Sequence, residues 1–387
     1  MHVDISSAIR SVGVDDFELE RFESQFPTPD GMAYNSYLIL DERVAILDSV
    51  DARCTKEWLS NLERSLSGRC PDYLIIHHME PDHSGSLIDV LRRYPSLQLV
   101  GTSRTMQLLR QFFDGFDFSQ NTLLVGEGDT LSLGSHELCF YTAPMVHWPE
   151  VMVSYERREK VLFSADAFGK FGAVSRSEAW IDEARRYYFN ICGKYGDAVQ
   201  RLLEKVARIE VRCIAPLHGP VLKEPLDEYL NLYNRWSRYI PETDGVLIAC
   251  ASIYGGTLYA SERLADLLRK RDAGEVRIVD LTRTDCSYSL TEAFRFSRLV
   301  AAAASYDGAL FPPMYDFLYH LRIKGYRNRR VALIENGSWG ASAAREMRQL
   351  FGAMRDIELL PQTLTIHSRL KHQDEASLAA LADALCR

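Results

Sequence analysis

The chain has 387 residues, nearly half of them hydrophobic and a quarter charged, with a formal net charge of -8. That length suits two domains better than one core, and the composition is that of an ordinary folded chain rather than a disordered one. The acidic balance lacks the basic face that a nucleic-acid backbone demands. No apolar run of about eighteen residues is present to span a membrane, and MHVDISSAIRSV has no secretory pattern, so a cytoplasmic location is expected.

Residues 1–240 read as short apolar runs closed by polar turns. YNSYLIL and RVAILDS suit paired strands, followed by YLIIHH, LQLVGTS, ELCFYTAP, KVLFSADAF and VRCIAPLHG as further strands. CTKEWLSNLERSL and SRTMQLLRQFF suit helices, as does one longer amphipathic stretch from Asp182 to about Arg208. The segment Tyr239 to Gly245, with Pro241 inside it, reads as a linker. Residues 245–387 change rhythm: GVLIACAS, EVRIVDL and RRVALIEN read as strands and SERLADLLRK as a helix, while TEAFRFSRLVAAA is a helix running into a strand. Strand and helix alternating in this way predict a doubly wound parallel sheet.

The strongest chemical signal is LIIHHMEPDHSG, which delivers His78, Glu80, Asp82 and His83 within six residues of a strand end. Alternate residues of an extended segment share a side, so His78, Glu80 and Asp82 converge while the loop turns His83 inward. By the same parity His77 points away and is read as structural. His147 follows ELCFYTAP, Asp166 follows KVLFSA and His218 follows VRCIAPL; each lies just past an apolar run, where the loops of an α/β sheet collect. None of the eight cysteines forms a C-x-x-C pair, so any metal here relies on imidazole and carboxylate, which suit iron, manganese or zinc. Seven such groups are too many for one ion and right for two. Asp166, alone from its own strand end, is the natural bridge, and the open positions that remain mark a catalytic site.

The order H-x-E-x-D-H, APMVHWPE, FSADAFG, APLHGP resembles the metallo-β-lactamase-like domain of flavodiiron proteins. That resemblance implies an N-terminal αββα sandwich in residues 1–240 and a flavodoxin-like domain in residues 245–387. One iron would take His78, Glu80 and His147, the other Asp82, His83 and His218, with Asp166 between them. Hydrolases of the same fold carry histidine where Glu80 stands and bind zinc. A zinc hydrolase with an accessory flavodoxin domain is therefore the first alternative, and a non-enzymatic redox carrier or sensor the second. The stretch from Asp166 to His218 is shorter than the family's. Tyr187 and Tyr188 become candidates for groups behind the ligands, by resemblance only.

In the second half, Ser252-Ile253-Tyr254-Gly255-Gly256-Thr257 follows a strand and opens a helix. Its amides and hydroxyls can hold a phosphate, and it is neither a Walker loop nor G-x-G-x-x-G, so a mononucleotide is expected. Ala304-Ser305-Tyr306-Asp307-Gly308 and Asn336-Gly337-Ser338-Trp339-Gly340 follow two more strands and add an aromatic ring each beside backbone donors, as an isoalloxazine needs. These segments look like the three FMN-contacting loops of a flavodoxin, with Ala303-Ala304-Ser305 where the family has Ser-Pro-Thr. The resemblance implies FMN and two non-haem irons as cofactors, dioxygen or nitric oxide as substrate, and a head-to-tail homodimer, which can pair into a tetramer. The missing C-x-x-C implies an external donor such as rubredoxin with its reductase.

Overall fold

A computed structural model, describing residues 3–176 and 179–387, divides the chain into two compact units, residues 1–234 and 235–387. The first unit contains two six-stranded sheets. One runs in chain order through Ile9–Ser11, Tyr37–Leu40, Val44–Leu47, Tyr73–Ile75, Gln98–Gly101 and Thr122–Leu124. The expected strand pair is an antiparallel hairpin with Tyr37 opposite Leu47, and the strands beyond it are parallel. The other sheet runs through Thr130–Ser132, Glu137–Thr142, Met152–Glu156, Val161–Phe163, Cys213–Ala215 and Leu222–Lys223. Val161–Phe163 and Cys213–Ala215 pair in parallel, which requires a crossover, here the helices Trp180–Ile191 and Gly196–Val206.

Alternation decides what each face meets. Tyr37, Ile39, Ala45 and Leu47 from the first sheet share one core with Leu138, Phe140, Val161 and Phe163 from the second. Leu38, Ile46, Leu74 and Leu99 occupy the opposite parity and are also fully buried, so the first sheet is covered on both faces. The result is an αββα sandwich. The stretch Asp182–Arg208, read as one helix, is two: a 3-10 turn at Gly193–Tyr195 interrupts it, opening on Gly193 and followed by Gly196, and glycine is the weakest helix former apart from proline.

The second unit is a five-stranded, fully parallel sheet in the order Glu275–Asp280, Thr243–Ala251, Phe296–Tyr306, Arg329–Asn336, Ile357–Ile366. This is the flavodoxin-like strand order 2-1-3-4-5. The division between units falls inside the helix Asp227–Ser237, a few residues ahead of the Tyr239–Gly245 segment. Residues after it pack into the second unit: the Trp236 indole donates to Glu242 (2.7 Å) and the Tyr239 carbonyl accepts from the buried Arg329 (2.7 Å). Among the described residues no helix is long and apolar enough to cross a membrane.

Candidate metal centre and flavin pocket

The strand Tyr73–Ile75 releases the chain into His77–Glu80, and Pro81–Ser84 then forms one helical turn. Proline suits the first helical position, where no amide donor is required. Asp82 therefore comes from a helical turn and not, as expected, from a continuing extended segment, and the same turn carries His83 inward. Backbone strain marks two other loops that bear candidate donors: Met145, two residues before His147, and Ala165, just before Asp166, have φ of 67° and 51°. Such conformations in non-glycine residues persist where surrounding structure enforces them, commonly at functional sites.

All seven predicted side chains meet, each at most 10% exposed. Asp166 Oδ2 lies 3.4 Å from His78 Nε2 and 3.0 Å from His147 Nε2. Glu80 Oε2 closes that group at 2.8 Å from His147 Nε2 and 3.6 Å from His78 Nε2. The other oxygen, Asp166 Oδ1, faces His83 Nε2 (3.6 Å) and His218 Nε2 (3.7 Å). Asp82 Oδ2 lies 3.3 Å from both of those nitrogens. Donors bound to one ion at about 2.1 Å must sit roughly 3–3.5 Å from one another, and the spacings within the two groups, from 2.8 to 3.7 Å, bracket that range. The carboxylate of Asp166 is thus shared between two donor sets.

The chemistry of the unpaired atoms points the same way. Both nitrogens of His78, Glu80 Oε2, both oxygens of Asp82, His83 Nδ1 and Asp166 Oδ1 are buried with no hydrogen-bond partner. Buried polar atoms rarely go unpaired, and a cluster of acceptors and imidazole nitrogens at these spacings fits cations. His218 shows how a ring is aimed: its Nδ1 donates to the Ala33 carbonyl (2.7 Å), which leaves Nε2 bare toward the site. Electrostatics are strongly perturbed. Burial opposes the charged forms of His78 and His147, but Asp166 and Glu80 more than offset it and push both imidazoles well above their ordinary range. Against the same burial, these histidines hold the Glu80 and Asp166 carboxyls low. Burial and the neighbouring Glu80 push Asp82 up to about 6.

His77 turns away, as its parity requires. Its backbone N–H donates to Asp48 Oδ1 (2.9 Å), and its ring joins Asp48 on one side and Ser154 on the other. Sequence reasoning missed Asp48, Ser154 and Glu150, which accepts from the Met79 amide (2.9 Å). The only available signal was Asp48 at the end of an apolar strand. Tyr187 packs near the site, its ring tilted against that of His218 at 5.3 Å, and its buried hydroxyl has no hydrogen-bond partner. Tyr188 instead packs edge-on to Tyr233. A cleft of about 360 Å³ reaches Glu80 and Asp82 from outside, walled by Phe22, Tyr34 and Arg53, whose Nη2 donates to the Tyr34 hydroxyl (3.1 Å).

A second cavity, about 280 Å³, lies in the other unit, and all three predicted loops line it. Gly255 is instead the helix N-cap, at φ 82°, with its amide donating to Ser252 Oγ (3.1 Å). Tyr306 packs against Phe311 rather than lining the wall. The segment from Ala304 to Tyr306, read as loop, continues the strand Phe296–Tyr306. The turn is confined to Asp307 and Gly308, both at positive φ, the pair that a two-residue hairpin between Tyr306 and Ala309 favours. Trp339 and Tyr254 are each 98% exposed at the rim. Ser368 and Arg369, which sequence reasoning missed, complete the lining.

A donor-rich αββα unit followed in the chain by a flavodoxin-like unit is the architecture of a flavodiiron-type oxidoreductase. Comparison with known proteins agrees. A family profile described as "ODP family beta lactamase" matches residues 32–219. The anaerobic nitric oxide reductase flavorubredoxin of Aeromonas hydrophila is 26% identical over 93% of this chain and 74% of its own. The solved rubredoxin oxygen:oxidoreductase of Desulfovibrio gigas superposes with a TM-score of 0.92 at 24% identity, over 100% of this chain and 98% of that one. The flavodiiron protein of Giardia intestinalis does so at 0.91 and 22%, with the same coverage. Along its whole length the chain shares the fold of these flavodiiron proteins.

Proposed function

We propose that this chain reduces dioxygen to water or nitric oxide to nitrous oxide at a pair of irons, taking electrons from a separate rubredoxin-type carrier and its reductase. The observation that carries the reading is Asp166, whose two oxygens face two separate donor sets. In this reading His78, Glu80 and His147 hold one iron and Asp82, His83 and His218 the other. When bound, the irons supply redox equivalents and open positions for a small neutral ligand, and FMN relays single electrons. The protein residues do the remainder. Asp166 and Glu80 place negative charge among four imidazoles, the Ala33 carbonyl fixes the His218 tautomer, and the cleft beside Tyr34 admits small molecules. Burial, followed by the charge of Asp166, pushes the Tyr187 hydroxyl far above its ordinary range, so it stays protonated and able to donate.

The flavin pocket belongs to a domain of residues 245–387, following a metal-binding domain of residues 1–240. The chain works as a head-to-tail homodimer in the cytoplasm, a reducing compartment that keeps cysteines as thiols. A zinc hydrolase is disfavoured by Glu80, a harder and more anionic donor than histidine at that place. Steady-state turnover of each gas with a reduced rubredoxin donor, on one preparation, tests the proposal. Consumption of either gas supports it; hydrolysis of ester or lactam substrates with neither gas consumed overturns it.

A further inference from the structure

We infer that Arg369 clamps the phosphate of the bound flavin and makes this pocket select a phosphorylated flavin over an unphosphorylated one, an inference that rests on the FMN reading above. Arg369 follows a strained turn. Ser368 sits at φ 68°, and the Arg369 amide donates back to the His367 carbonyl (2.9 Å), a three-residue reversal that costs energy in a non-glycine residue. Four contacts hold that turn against the 336–340 loop. His367 Nδ1 meets the Gly337 carbonyl (2.9 Å), and the Ser368 amide donates to Asn336 Oδ1 (3.0 Å). Asn336 Nδ2 donates to the Ser368 carbonyl (3.2 Å), and Ser368 Oγ donates to Ser338 Oγ (3.0 Å).

The pinned turn lies at the phosphate end of the cavity. Asn336 Nδ2 also donates to Thr257 Oγ1 (3.2 Å), and a Cβ on Gly256 would fall 2.1 Å from the Ser368 carbonyl oxygen. Those two residues open the helix Gly256–Arg269, whose first amides and positive dipole end favour an anion. Arg369 comes next in the chain, exposed, and lines the cavity. Among the described residues it has no acidic partner, and among those lining the pocket it is the only cation. Amides and hydroxyls alone bring no net charge to a dianion, and the chain carries -8 overall, so a bare guanidinium at this mouth supplies the missing counter-charge. An isoalloxazine or a ribityl chain gives such a cation nothing comparable.

The test measures flavin affinity, not turnover. FMN and riboflavin are each titrated into the full chain freed of flavin, with binding followed by fluorescence quenching, for the native protein and for Arg369→Gln and Arg369→Lys. Arg369 is exposed, so both variants keep the fold. The inference expects Arg369→Gln to weaken FMN about tenfold, leave riboflavin unchanged and flatten the salt dependence of FMN binding, with Arg369→Lys in between. An unchanged ratio of FMN to riboflavin affinity in Arg369→Gln overturns the inference while leaving the FMN reading intact. A native chain that binds neither flavin overturns both.

Discussion

Replacing Asp166 with alanine separates a shared bridge from a structural carboxylate. Both oxygens of Asp166 face donor groups, at 3.0 and 3.4 Å on one side and 3.6 and 3.7 Å on the other. One truncation therefore removes a charged donor from each metal set. Loss even of a group behind the ligands commonly costs 10- to 100-fold in metal affinity, so losing this donor should cost at least about 100-fold at each site. An ion supplied at about 100 times its dissociation constant stabilises the folded state by roughly 2.7 kcal/mol. For a unit of this size that is a rise in Tm of roughly 5–10 °C. The assay is anaerobic thermal unfolding with and without ferrous iron, alongside iron content and flavin spectrum. The native chain should show the full shift, and the variant little or none at the same iron concentration, with an unchanged flavin spectrum. Without metal, the variant should melt within a few degrees of the native chain, because imidazoles left without the carboxylate can discharge their protons to water. A variant that kept native iron content and the full shift would refute the bridge.

Asp48→Ala removes the acceptor for both the His77 amide and its ring, leaving buried donors unmet. It should cost roughly 2–4 kcal/mol, read as a lower urea midpoint, and weaken iron retention by displacing His78. Gly256→Ala places a Cβ 2.1 Å from the Ser368 carbonyl oxygen, so the 336–340 loop and its turn must shift. Flavin affinity should fall at least about tenfold with iron content unchanged, and loss of iron with retention of flavin would contradict this assignment of the two cavities. In the metal-free chain His78 and His147 have raised pKa values and keep their protons to higher pH, so metal must expel those protons. Affinity should accordingly rise with pH and weaken as pH falls. Calorimetry in buffers of different ionisation enthalpy should show net proton release on metal uptake, and none would contradict it.

What could be read in advance follows the range of the interactions involved. The candidate donors could be picked out because they stand in the loops that follow apolar runs, and strand ends are where a sheet can present chemistry. The turn from Pro81 to Ser84 was missed because the alternation argument assumed an extended backbone, whereas Pro81 started a helical turn that still brought Asp82 and His83 inward. Groups that orient the ligands were not legible: Asp48 and Ser154 lie 29 and 77 residues from His77, and no local pattern ties them together. The fourth contributor to the flavin cavity, Ser368 and Arg369, was hidden for the same reason, since it follows the fifth strand of the sheet and carries no glycine signature. Tyr306 offers the aromatic ring a flavin loop needs, yet its strand continues through that position and turns the ring onto Phe311.

Mössbauer spectroscopy on the chain loaded with isotopically enriched iron tests the central claim most directly. A carboxylate held between two ions couples their spins. The account therefore predicts about two irons per chain in a coupled pair, with a diamagnetic ground state when oxidised, and predicts that Asp166→Ala abolishes that coupling. Magnetically isolated iron, one iron per chain, or zinc filling both donor sets in the native protein would contradict it.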